Sequence, residues 1–161
     1  MNPQNMSKRL FAITAALVLA ACGLAIAATR TTNIHLGKTT YGRYDAPRLQ
    51  DAAHYPIYIS THDLRDKSRC TGSCALSFAP LIAHGTPKAL DGVKQKLLGT
   101  IPRGRHEKQV TYNHHPLYTS TTDAPGSAID DGCEFFKARW YVLDKTGTPD
   151  KRYKARCTGG Y

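Results

Sequence analysis

The feature that most constrains the fold is an internal repeat. Pro56-Ile57-Tyr58-Ile59-Ser60-Thr61-His62-Asp63 returns as Pro116-Leu117-Tyr118-Thr119-Ser120-Thr121-Thr122-Asp123, with five of eight residues identical at a constant offset of 60. Such repetition marks two copies of one supersecondary unit, neither able to bury its apolar face alone. An extended stretch precedes each copy, residues 48–51 in the first and 109–112 in the second, and the connections 52–55 and 113–115 are short enough for β-hairpins. Period-2 alternation puts Ile57 and Ile59 on one face and Tyr58 and Ser60 on the other; Leu117 and Thr119 oppose Tyr118 and Ser120 in the same way.

A lone two-stranded hairpin is marginal in water, so the two must pack together. The expected fold is mainly β: two hairpin-containing repeats, near 45–82 and 100–147, packed as one pseudo-twofold β-sandwich or partly closed barrel with at most a short helix. Tyr58 and Tyr118 occupy matching positions, and Trp140, in the apolar strand 140–143, fills the shared core. Asp63 and Asp123 open turns in which a carboxylate accepts nearby backbone N–H groups; the sharper reading makes the Tyr and Asp of each repeat a ligand site. Leu90, Val93, Leu97 and Leu98 fall at roughly helical spacing around Gly92, so residues 88–98 are where the short helix is expected.

The first residues carry an address. Lys8 and Arg9 precede an apolar run, inside which Leu19-Ala20-Ala21-Cys22 fits the box that ends bacterial lipoprotein signals, with Cys22 acylated (palmitate) and becoming the N-terminus. Residues 1–21 then read as signal peptide, 22–40 as a membrane-proximal tether and 41–161 as a single β-rich domain, a size within the single-domain range. Two plainer readings stand beside it. Ala25-Ile26-Ala27 is a site whose cleavage would release a soluble periplasmic or secreted protein starting at Ala28, and the apolar run is near the length that spans a bilayer.

Export bears on the cysteines. With Cys22 in the signal, Cys70, Cys74, Cys133 and Cys157 remain, an even number in an oxidising compartment, and two disulfides are expected. Spacing leaves the three connectivities open. The Cys70–Cys74 interval lacks a second close pair, which is weak metal spacing, and neither a thioredoxin-type pair nor a c-type haem motif occurs.

Lys and Arg total 22 against 12 acidic residues; loss of Lys8 and Arg9 with the signal leaves 20 against 12, or +8. Much of the excess sits at Lys137, Arg139, Lys145, Lys151, Arg152, Lys154 and Arg156. It favours anionic lipid headgroups or an anionic envelope polymer, and export argues against nucleic acid.

Several ordered motifs resemble one known family. Cys70-Thr71-Gly72-Ser73-Cys74-Ala75 with Phe78 and Pro80-Leu81 is similar to its C-T-G-x-C-A…W-P-P-L signature. Residues 98–101, Arg103, 109–113 and 116–118 are similar to its L-G-x-[IV]-x-R…Q-V-T-Y-N-G-x-P-L-Y segment, and Trp140-Tyr141-Val142-Leu143 with Gly147 to its closing W-x-V-x-x-x-G. The chain resembles the bacterial secreted-repeat family of predicted lipoproteins with a Y-x-[FWY]-x-x-D motif, over about residues 45–147. It reads as a divergent member: Ser60 and Ser120 take the aromatic position, Phe78-Ala79-Pro80 replaces W-P-P, and Arg105-His106 and His114 stand at the D-G and turn-Gly positions. The resemblance implies an envelope-located two-repeat lipoprotein, the disulfides Cys70–Cys74 and Cys133–Cys157, and no reaction.

Two function classes follow. The first is a non-enzymatic, lipid-anchored envelope protein, held at the membrane by its anchor and binding an anionic polymer or a protein partner, with no cofactor and no metal. The alternative is a periplasmic metal-binding or redox-associated protein. It would use loop histidines among His35, His54, His62, His84, His106, His114 and His115, with His54, His114 and His115 in equivalent hairpin connections. No G-x-S-x-G, H-E-x-x-H, P-loop or dinucleotide fingerprint occurs.

Overall fold

The computed structural model describes residues 31–37, 39, 47–149, 151 and 157. Among the described residues, eleven strands make up three sheets. The first half supplies β1 (Asn33–Gly37), β2 (Arg48–Asp51), β3 (Ile57–Ser60) and β4 (Phe78–Pro80), with the five-residue helix α1 (Ser73–Ser77) before β4. After β5 (Lys88–Ala89), the second half supplies β6 (Leu98–Arg103), β7 (Glu107–Tyr112), β8 (His115–Pro116), β9 (Tyr118–Ser120), β10 (Glu134–Phe135) and β11 (Ala138–Val142).

The repeat is a structural one, and the two copies meet at its centre. Strands β3 and β9 pair antiparallel with Tyr58 opposite Tyr118, so each repeat's tyrosine sits beside its own counterpart. Around this point the central sheet runs β10-β11-β3-β9-β4. The closing strand of each half lies on the other half: β11 pairs with β3 (Trp140 opposite Ser60), and β4 pairs with β9 (Phe78 opposite Ser120). The exchange continues past the sheet, where Leu49 N–H donates to Leu143 O at 2.8 Å and Val110 N–H donates to Leu81 O at 2.8 Å. Neither half completes the central sheet without the other.

Alternation turns this arrangement into two cores. Ile57, Ile59, Leu117, Tyr141 and Leu143 face Ile34 and Leu49 of the sheet β2-β1-β5 and Val110 and Tyr112 of the sheet β6-β7-β8. On the opposite face, Tyr58, Tyr118, Trp140 and Val142 pack with Phe78, Cys70, Cys133 and Phe135. The fold is therefore mainly β and sandwich-like, and it is not a closed barrel. Four aromatics join across the pseudo-twofold: Phe78 and Trp140 stack with ring centres 3.6 Å apart, while Tyr58 sits edge-on to Phe78 and Tyr118 edge-on to Trp140. Edge-to-face and stacked contacts add to simple burial.

Three expectations are corrected. Residues 88–98 do not form a helix: β5 is followed by a turn in which Asp91 and Gly92 take positive φ (51° and 86°), and only a 3-10 turn, Gln95–Leu97, follows. The left-handed pair breaks the helical path that the spacing of leucines implied. The short helix is α1 instead, beside the Cys70–Cys74 bridge. Residues 33–37, expected to be tether, instead form β1, which pairs with β2 and carries Ile34 fully into the core. By register, β1–β2 matches β6–β7, with Ile34 opposite Asp51 as Leu98 is opposite Tyr112, so the first unit begins a strand earlier than residue 45, and the second begins at Leu98 rather than residue 100. The signal and Cys22 lie outside the described residues.

Both disulfides are present, Cys70–Cys74 and Cys133–Cys157, with Cα–Cα distances of 5.3 and 5.5 Å. The second joins residues 24 apart in sequence and ties the C-terminal segment to the aromatic core through fully buried Cys133. In the chain-entropy picture a loop of that size is worth about 3 kcal/mol. Cys157→Ser is expected to lower the midpoint of chemical denaturation accordingly, and peptide mapping of the unreduced protein checks the pairing.

Candidate functional site

The repeat motif itself builds a reciprocal pair of hydrogen bonds. Tyr58 Oη donates to Asp123 Oδ2 at 2.7 Å, and Tyr118 Oη donates to Asp63 Oδ2 at 2.7 Å. Each tyrosine therefore reaches the aspartate of the other repeat. The second carboxylate oxygen closes its own loop: Asp63 Oδ1 accepts from Arg69 N–H and Asp123 Oδ1 from Ile129 N–H, again 60 residues apart. The turns dock the same way. Asp66 N–H donates to His114 O at 2.9 Å, and Gly126 N–H donates to His54 O at 2.7 Å. Tyr58, Asp63, Tyr118 and Asp123 thus fasten the two halves; both tyrosines are fully buried, Asp123 is 9% exposed and Asp63 is half-buried.

Burial has an electrostatic consequence. Desolvation pushes the Asp123 carboxyl up to about 7, with nearby Asp130 adding to the rise, against the Tyr58 and Ile129 hydrogen bonds that lower it. Burial raises Asp63 too, and lifts both Tyr58 and Tyr118 well above the ordinary tyrosine range. A carboxyl whose folded value exceeds its unfolded one binds more protons when folded, so its contribution is present below about pH 4 and is lost as pH rises through about 7. Wild-type unfolding free energy is expected to fall over that window more steeply than that of Asp123→Asn, measured by denaturant titration at each pH.

The histidines separate into pairs at different places. His54 meets His35 edge-on with ring centres 4.7 Å apart, and His35 Nδ1 lies 3.7 Å from Asp91. His114 Nδ1 lies 2.7 Å from Asp66 Oδ2 and its Nε2 lies 2.6 Å from Arg65. His115 is half-buried, and burial lowers its pKa. Among the described residues no three His, Cys, Asp or Glu side chains gather with metal-holding geometry. His54 and His114 are pseudo-twofold counterparts, each holding the opposite repeat's turn through its carbonyl, and this keeps them apart.

Of the basic positions marked in sequence, Lys137, Arg139, Lys145 and Lys151 are exposed, and Arg139 approaches Glu134 at 3.4 Å. Arg152, Lys154 and Arg156 lie outside the described residues. A second concentration is not legible as a run in sequence, because it is split between the link before β6 and the β6–β7 turn. Exposed Lys94, Lys96, Arg105, His106 and Lys108 surround β6. A cleft of about 520 Å3 lies there, lined by residues 85–87, Gln95, Leu98, Gly99, Thr100, His106 and Lys108. A second cleft, of about 310 Å3, shares Leu98, Gly99 and Thr100 with it and adds Lys96, Asn113 and His114. Arg103 is turned inward instead, donating to Ser68, Gln109 and the Cys70 carbonyl.

No family model matches the chain, and no curated protein or solved structure matches it.

Proposed function

We propose that the chain is an exported, lipid-anchored domain of the bacterial cell envelope that acts by binding, as a divergent member of the secreted-repeat lipoproteins. The observation that carries this reading is the Leu19-Ala20-Ala21-Cys22 box ahead of a small domain closed by two disulfides. Paired cysteines favour an oxidising compartment, and acylation at Cys22 holds the domain at a membrane surface. The family motifs gain a physical reason from the fold. Phe78 and Trp140, at the two tryptophan positions, stack on each other, and the Tyr and Asp of the repeat bond across it. A basic surface supports an anionic partner over a neutral one.

Metabolic labelling with palmitate in a bacterial host tests the address. The wild type is expected to incorporate label and fractionate with membranes, and Cys22→Ser to lose both. A mature N-terminus at Ala28 contradicts the lipoprotein reading.

A further inference from the structure

The two halves differ at one edge. In the first half, β1 is covered on its free side by β5, which runs parallel to it: Lys88 N–H donates to Thr32 O at 2.9 Å and Leu90 N–H donates to Ile34 O at 2.8 Å. The counterpart of β1 is β6, with Leu98 in the place of Ile34. Among the described residues β6 pairs only with β7, and its other side is open.

The ladder says which groups face outward. Val110 turns both backbone groups away from β6, to Leu81 O and Leu117 N–H. Its partner Thr100 therefore sits in a non-hydrogen-bonded pair, with its own N–H and C=O directed away from β7. Leu98 N–H is taken by Gln95 O, which leaves the carbonyls of Leu98, Thr100 and Pro102 and the N–H of Thr100 along the open edge. Thr100 and Pro102 are exposed.

We propose that the open edge of β6 is a docking site for an extended acidic segment of a partner protein, which adds to the sheet as β5 does to β1. Main-chain groups supply the ladder, and the flanking cations supply the choice of sign. Of the two clefts that share Thr100, one is lined by Lys96 together with Asp66, and the other by His106 and Lys108. Among residues 88–108, six Lys and Arg stand against Asp91 and Glu107 alone. A second copy of this chain would bring the same lysines face to face, so like charge opposes self-pairing. Pro102 and the lysines also guard the edge against indiscriminate strands. A flat anionic membrane has no extended main chain to offer this edge.

The proposal rests on the reading of the chain as a binding domain but not on its lipid anchor, so a failure here is distinguishable from a failure of Cys22 acylation. The test uses the purified full chain and a fluorescent peptide alternating Glu and Thr. The same peptide N-methylated at alternate residues, polygalacturonate, and phosphatidylglycerol vesicles serve as comparison probes. Saturable binding of the plain peptide is expected, weakened about tenfold by N-methylation or by Thr100→Pro, each of which removes ladder bonds. Lys96→Glu with Lys108→Glu is expected to weaken it at least as much, and more so at low salt. Because Thr100→Pro also changes the backbone of β6 itself, the N-methylated peptide on the wild type carries the same question with the protein unchanged. Equal binding of plain and methylated peptides overturns the proposal, as does binding of polygalacturonate or vesicles with no binding of the peptide.

Discussion

Trp140→Ala is expected to lower the unfolding free energy by about 4 kcal/mol, enough to leave a small domain barely folded. Its ring is fully buried, stacks on Phe78, takes Tyr118 edge-on and donates Nε1–H to Phe135 O at 3.2 Å. Truncation leaves a cavity between the two halves, and the partners bordering it belong to both, so neither half can collapse alone to fill it. Trp140→Phe, which keeps a ring opposite Phe78, is expected to cost far less. Equilibrium denaturation with coincident fluorescence and far-ultraviolet circular dichroism separates a destabilised fold from a lost one.

Tyr58→Ala and Tyr118→Ala form the second large expectation, each at about 4 kcal/mol. Both rings are fully buried, and both hydroxyls satisfy a carboxylate in the opposite repeat. The effects should be similar, because the environments are related by the pseudo-twofold. Removal of the hydroxyl alone in Tyr58→Phe is expected to cost about 1–3 kcal/mol, since it strands the buried Asp123 carboxyl, and Tyr118→Phe less, since Asp63 is only half-buried.

Much of this was legible in the chain because repetition and alternation are local signals. Ile57 and Ile59 against Tyr58 and Ser60 predicts two faces, and those faces border two different cores. The place of Trp140 in a shared core follows from its apolar strand, and it is fully buried. What the sequence does not carry is partnership across the repeat. Asp63 was expected to cap its own turn; it does close its loop through Arg69 N–H, but its other oxygen meets Tyr118, a choice made by strand exchange and invisible to any window of residues. The helix expected over residues 88–98 failed for the opposite reason. Leucine spacing dominated the reading, while the positive φ of Asp91 and Gly92 and the pairing of β5 with β1 are long-range outcomes. The basic surroundings of β6 are not legible in sequence because their cations are scattered along the chain, some before the strand and some after it, and gather only in the fold.

The interlocked fold depends on each tyrosine bonding the other repeat's aspartate, and a double-mutant cycle on stability measures that directly. Tyr58→Phe with Asp123→Ala, and Tyr118→Phe with Asp63→Ala, are each expected to show a coupling of about 1–2 kcal/mol. The same-repeat combinations, Tyr58→Phe with Asp63→Ala and Tyr118→Phe with Asp123→Ala, are expected to be additive within a few tenths of a kcal/mol. Coupling confined to the same-repeat combinations would contradict the interlocked fold.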